Sequence, residues 1–282
     1  MYTFEREGLT YKIAVSDSST QGPSLLMLHG FAGSHQSFAH LLPHVKGFSR
    51  VMCPDLAGHG LSLSQATDPT ARYAPKKQTE DLRLLLRELS TEKLVIYGYS
   101  MGARLALQLA CALSAKPETG ISPVGLLCES GSAGLRSESE RRARRDSDRR
   151  LAQKIRTDFG AFHQSWDQLP VFETGTQPST DLTKTLREIR SKQEPHHLAA
   201  SLQAFGTGSM PALHDQLAQL SMPVTLLTGS CDTKFTHIAN ELLPLFGSRK
   251  KEHLCVPDCG HRIHLEQPHV VIQQLNALAL PE

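Results

Sequence analysis

No run of apolar residues in this 282-residue chain approaches the roughly 20 needed to cross a bilayer, so membrane insertion is not expected. The opening residues, Met1 to Glu7, lack the basic segment and apolar core of a secretion signal. Neither sign of charge is in excess: 30 Lys and Arg against 28 Asp and Glu leave +2, which argues against a nucleic-acid partner. The chain has no internal repeat and no low-complexity tract. Its six cysteines (Cys53, Cys111, Cys128, Cys231, Cys255, Cys259) follow no disulfide framework and mostly sit in or beside apolar patterns. Reduced, buried thiols in a cytoplasmic protein are therefore expected. What remains is 39% apolar and 21% charged residues, the composition of a globular protein with one large α/β domain or a domain carrying an insertion.

Thr3 to Ala14 reads as a hairpin with Glu7-Gly8 near its turn. Short apolar runs at 24–28, 50–54, 94–97, 124–128, 222–228 and 253–256 read as strands. Most are apolar throughout rather than alternating, as strands buried on both faces are. Between them, residues 77–90 carry Leu82, Leu85, Leu86 and Leu89 at helical spacing, 101–112 is rich in Ala and Leu, and 270–280 reads as a closing helix. Strands alternating with helices predict a mostly parallel sheet flanked by helices. From about residue 131 the composition changes. Residues 136–156 are crowded with arginine and acid, and strand signals do not return until 222. A helical cap over 131–215, inserted into a core formed by 1–130 and 216–282, is expected.

The chemistry centres on Gly98-Tyr99-Ser100-Met101-Gly102, which lies between an apolar strand and a helix. A Gly-x-Ser-x-Gly there is the nucleophile elbow of the α/β-hydrolase fold. The serine needs a base and the base an orienting acid, in the order acid then histidine on loops after late strands. Asp232 lies just beyond Leu226-Leu227-Thr228 and His261 just beyond Leu254-Cys255-Val256, so Ser100, Asp232 and His261 are the expected triad. Asp258 and Glu129 are rival acids, Asp258 being more in keeping with a turn. His29 and His59 are expected to brace loops. An oxyanion hole would use the backbone N–H groups of Met101 and, after His29-Gly30, of Phe31. Cys255, Cys259, His261 and His264 superficially suggest a metal cluster, but their spacing matches no common zinc pattern and a ligated His261 could not serve Ser100.

Over almost its whole length the chain resembles the 2-succinyl-6-hydroxy-2,4-cyclohexadiene-1-carboxylate synthases, α/β-hydrolase-fold lyases of menaquinone biosynthesis. The wider superfamily accounts for His29-Gly30-Phe31, the segment Asp55 to Gly60, the elbow and Gly260-His261. The narrower likeness lies in Gly98 to Arg104, Glu129 to Leu135, Ser147-Asp148-Arg149, Trp166 to Phe172, Leu186 to Ser191 and Asp232 to Phe235. Ala103 stands where the family usually has glycine. The resemblance implies elimination of pyruvate, with Ser100 as a proton-abstracting base, and neither metal nor organic cofactor. It also implies that Arg144 and Arg190 bind carboxylates of a small polycarboxylate substrate, with Tyr99 and Trp166 in the pocket. Arginine suits that task because its planar fork holds a carboxylate bidentately. Most of the other arginines of 136–156 are expected on a solvated, salt-bridged helix face. Two alternatives stay open: a carboxylester or C–C bond hydrolase using the same triad through an acyl-enzyme, and a non-catalytic receptor on the same fold.

Overall fold

Glu7 and Gly8 both take positive φ (46° and 72°), which gives the tight two-residue turn between β1 (Tyr2–Arg6) and β2 (Leu9–Asp17). The structure is a computed structural model that describes residues 1–172 and 176–280. Beyond the hairpin come β3 (Ser24–Leu28), β4 (Arg50–Pro54), the two-residue β5 (Leu63–Ser64), β6 (Lys93–Tyr99), β7 (Ser122–Glu129), β8 (Val224–Gly229) and β9 (Lys251–Val256). They form one sheet in the order β1-β2-β4-β3-β6-β7-β8-β9, with β5 paired to β2. β2 runs antiparallel to β1, β4 and β5, and all pairings from β4 to β9 are parallel.

Side-chain alternation explains why the central strands are apolar throughout. Leu26 and Leu28 of β3 and Leu94 and Ile96 of β6 join one core layer. It is covered by α1 (Pro75–Glu88) and α2 (Met101–Ser114). Leu25 and Met27, with Val95 and Tyr97, face the other side. There they meet Phe38 and the helix α8 (Pro268–Leu278) through Val271 and Leu275. β8 begins at Val224, not at Met222 as the apolar run predicts. Pro223 has no N–H to donate; its carbonyl accepts from Leu126 N–H of β7 (2.9 Å), and the first N–H of this segment to join the ladder is that of Val224, to the Lys250 carbonyl (2.9 Å).

Between β7 and β8 the described residues hold no strand. They fold as α3 (Glu138–Thr157), α4 (Phe159–Ser165), α5 (Thr180–Ser191) and α6 (Pro195–Phe205), with short 3₁₀ turns. Ser137 caps α3, and of its 20 residues just Asp148, Ala152 and Ile155 are buried, so most of its charges face water. Arg145–Glu138 and Arg149–Asp146 pairs line that face. The inner side packs Ala152, Ile155, Phe162, Leu198 and Leu202 on Ala32 of the loop after β3. Four cysteines are buried as expected, but Cys231 and Cys255 are exposed, because one sits in the β8 loop and the other on the half-open edge strand β9. No helix of the described residues is long and apolar enough to cross a membrane.

Candidate active site

Ser100 is held at φ 51°, ψ −105°, a left-handed conformation that a serine adopts only when its surroundings over-determine it. The surroundings are the two glycines of the elbow. A Cβ on Gly98 would lie 2.4 Å from the Gly102 carbonyl oxygen, and one on Gly102 would lie 1.9 Å from that of Leu28. Helix α2 therefore leaves β6 in closer contact with β3 than any larger residue permits. The Ser100 N–H donates to the Glu129 carbonyl (2.8 Å), fixing the turn against β7.

Three parallel strands end around this turn and bring the sequence-predicted triad together. Ser100 Oγ lies 2.9 Å from His261 Nε2, and His261 Nδ1 lies 2.6 Å from Asp232 Oδ2. A carboxylate only accepts, so Nδ1–H donates to Asp232 and Nε2 is left to accept from the serine hydroxyl. The other oxygen of Asp232 accepts from Phe235 N–H (3.2 Å) as the cap of α7 (Thr233–Leu242), which locks the acid in place. Asp232 and His261 are both buried. The rival acids are occupied elsewhere. Asp258 sits in a turn at φ 54°. Glu129 accepts from Tyr97 Oη–H (2.5 Å) and from the backbone and ring N–H of His264 (3.1 and 2.7 Å). Burial pushes the Glu129 carboxyl up, but these donors outweigh it and hold it below its ordinary value. His261 and His264 thus each have a defined partner other than a metal.

The hydroxyl opens into a cavity of about 280 Å³ lined by, among others, Phe31, Tyr99, Met101 and Trp166. Met101 is the first residue of α2, where N–H groups have no intrahelical acceptor and the helix dipole favours negative charge. Phe31 approaches from the opposite loop. A Cβ on Gly30 would collide with the Tyr99 ring at 2.6 Å, so glycine is what allows that approach. Tyr99 packs on His264 (4.4 Å between centroids) and His261 (5.5 Å), and burial pushes its hydroxyl well above the usual range. Trp166 packs on Phe31 and Phe162 (5.4 and 5.1 Å) and closes the cavity from the helical side.

Five cations line this cavity: Arg104, Arg144, Arg190, Lys234 and Arg262. Asp167 is the only carboxylate among the described lining residues. Arg190 is 5% exposed and donates through Nη1 and Nη2 to Asp167 (3.1 and 2.7 Å). Arg144 is more open, at 38%, and its Nε donates to Asp148 (2.8 Å). Arg104 sits one turn after Ser100 on α2 and donates to the Phe205 carbonyl and Thr207 Oγ1 (3.1 and 3.0 Å). Burial, with Arg144 close by, pulls it down to about 10, so it stays charged at neutral pH. The sequence motifs contain Arg104, Asp167 and Lys234 without marking them as cavity residues, and Arg262 stands in none of those motifs. The i+4 spacing of Arg104 from Ser100 was a usable signal, since it places both at one end of one helix face. Arg262 offered just its place beside His261.

His29 and His59 brace the loops beneath the site. His29 Nδ1–H donates to the Gly30 carbonyl (2.7 Å) while Nε2 accepts from Leu56 N–H (3.0 Å), a pattern that requires the neutral ring. Burial lowers His29 to about 4 and His59 to about 3, from 6.5. Below pH 6.5 the unfolded chain takes up protons that the folded protein refuses, so this part of the stability is complete above about pH 6.5 and is lost as pH falls toward 4. The slope reaches about 1.4 kcal/mol per pH unit for each ring. The melting temperature is expected to fall between pH 6.5 and 5, above the range where carboxylates titrate. A flat profile across that window would contradict neutral buried rings.

The sheet order, the elbow and the Ser–His–Asp chain of hydrogen bonds define an α/β-hydrolase architecture. The model of the alpha/beta hydrolase family matches residues 25–274. The putative 2-succinyl-6-hydroxy-2,4-cyclohexadiene-1-carboxylate synthase of Bacillus subtilis (strain 168) is 33% identical over 265 residues, covering 94% of this chain and 92% of the relative. The synthase of the same name from Salmonella paratyphi C (strain RKS4594) is 34% identical over 256 residues, with 90% and 92% covered. The solved structure of MenH from S. aureus superimposes with a TM-score of 0.85 at 26% identity, covering 94% of this chain and 97% of that one. The chain belongs to the alpha/beta hydrolase family and, within it, to the family of 2-succinyl-6-hydroxy-2,4-cyclohexadiene-1-carboxylate synthases.

Proposed function

We propose that this enzyme eliminates pyruvate from 2-succinyl-5-enolpyruvyl-6-hydroxy-3-cyclohexene-1-carboxylate, giving the 2,4-diene in menaquinone biosynthesis. The observation that carries the reading is the cavity's charge: among its described lining residues, five cations and one carboxylate around a serine–histidine–aspartate chain. The substrate has three carboxylates, whereas an ordinary ester pocket has no use for buried guanidinium groups.

The names of substrate and product dictate the bond changes. One ring double bond, at position 3, becomes two, at positions 2 and 4, so a proton leaves C2 and the enolpyruvyl oxygen leaves C5. C2 bears the succinyl carbonyl, and its proton is therefore acidic. Ser100 Oγ takes that proton as its own passes to His261 Nε2, and the imidazolium is stabilised by Asp232. The electron pair enters the ring as the C5–O bond breaks, and the departing enolpyruvate takes up one proton while the imidazolium gives one up, so that pyruvate leaves and the neutral His261 is restored. Negative charge that develops on the succinyl oxygen falls to the N–H groups of Phe31 and Met101, assisted by the α2 dipole. Arg144 and Arg190 hold carboxylates, and Tyr99 and Trp166 shape the pocket. The helices over 131–215 act as a cap on the core formed by 1–130 and 216–282. Water is not a reactant, and no cofactor enters the scheme. The six cysteines, all without disulfide partners, suit a cytoplasmic enzyme. The test is release of one pyruvate per diene from the purified protein.

A further inference from the structure

Arg262 follows the base directly, and its backbone is fixed together with that of His261. Gly260 N–H and Arg262 N–H donate to the two oxygens of the buried Glu266 carboxylate (2.5 and 3.2 Å), so both neighbours of His261 hang on one side chain. The guanidinium lies over the Phe172 ring, 4.4 Å from its centroid, and Nη1 donates to Asp167 Oδ1 (3.2 Å). Its Nε is buried and has no hydrogen-bond acceptor among the described residues. Asp167 is shared further, with Arg190 through two bonds and with Arg187 through one (3.3 Å).

Three guanidinium groups thus face a single carboxylate. Two of them, Arg190 and Arg262, are 5% and 15% exposed and line the catalytic cavity. Mutual repulsion is already felt there: burial, then Arg262 and Arg187, pull Arg190 below its ordinary value despite Asp167. A cluster of buried cations with too few anions is costly, and a bound carboxylate relieves it. We propose that Arg262 is a specificity-determining residue that, with Arg190, binds one carboxylate of a polycarboxylate substrate, Asp167 being a resident carboxylate that partly neutralises the pair until the substrate arrives. The identity of that substrate rests on the lyase reading above; the presence of the carboxylate site does not.

A strut is the competing role: Arg262 would merely tie the Asp167 turn to the His261 loop. The two differ in what Asp167→Asn does. If Arg262 is a strut, losing either end is equivalent, and Arg262→Met and Asp167→Asn weaken ligand binding alike. If Arg262 is a carboxylate site, Asp167→Asn removes a competitor and binding is retained or tightened. Calorimetric titration with propane-1,2,3-tricarboxylate as probe separates them. Arg262→Met is expected to weaken the probe by about thirty-fold or more. Arg262→Lys recovers part of this, Asp167→Asn binds at least as tightly as the parent protein, and all variants keep cooperative melting. Failure of the parent protein to bind the probe, an unchanged affinity in Arg262→Met, or equal weakening in Arg262→Met and Asp167→Asn overturns the proposal. A protein that binds the probe through Arg262 yet releases no pyruvate from the enolpyruvyl compound would overturn the lyase reading and leave this site standing.

Discussion

Ser100→Ala is expected to lower the rate of pyruvate elimination by about 10²–10⁴-fold, the span that a positioned general base contributes. His261→Gln should cost about as much, and the double variant little more than the worse single one, because the proposed mechanism has serine and histidine, 2.9 Å apart, move one proton together. Glutamine is the better probe than alanine at 261. His261→Ala would leave the buried Asp232 carboxylate without its Nδ1–H donor and destabilise the fold as well as the reaction. Ser100→Gly supplies an internal check. It removes the hydroxyl and also relieves a positive φ, so the variant should be inactive yet more stable, by about 1 kcal/mol or more. Independent losses that add in logarithms of rate would argue against a shared proton transfer.

The arginines should separate by exposure. Arg190→Ala is expected to reduce kcat/KM by thirty- to several-thousand-fold, the range for removing one partner of a desolvated ion pair, about 2–5 kcal/mol. Arg144 is 38% exposed against 5% for Arg190, so water can replace part of what it supplies, and Arg144→Ala should cost less. Arg149 is 67% exposed and paired with Asp146 on the outer face of α3, and Arg149→Ala should change the rate by a few-fold at most. Lysine at 190 keeps the charge without the planar fork that can span both oxygens of a substrate carboxylate, as it spans those of Asp167 here, and recovers part of the loss. Steady-state kinetics of the three alanine variants on one substrate make the comparison. Equal small effects would mean that the helical segment does not grip a polyanion.

Local pattern made the frame legible. Strands buried on both faces read as unbroken apolar runs, as in Ser24–Leu28, and a strand end followed by glycine, serine or aspartate marks a loop at the carboxyl edge of the sheet. Ser100, Asp232 and His261 all stand in such loops. Choosing among acids was harder from sequence alone. Glu129 ends a strand too, and is set apart by Tyr97 and His264, partners 32 and 135 residues away. The Asp167 cluster was hidden for the same reason. Nothing near Asp167 announces that Arg187, Arg190 and Arg262 converge on it from α5 and from the loop after β9. Composition marks the arginine-rich stretch 136–156 as helical, and Arg141 to Arg156 do lie on α3. Which of them turns inward depends on the packing of Ala152 and Ile155 against α6 and the core loop.

Turnover in ¹⁸O-labelled water, with the reaction quenched and both product and protein examined by mass spectrometry, tests the central claim most directly. Elimination by a serine base predicts one pyruvate per diene, a diene without solvent oxygen introduced by the reaction, and a Ser100 peptide at its unmodified mass. A stoichiometric acyl adduct on Ser100, with labelled oxygen carried into the product's carboxyl group, would contradict it and make this enzyme a hydrolase.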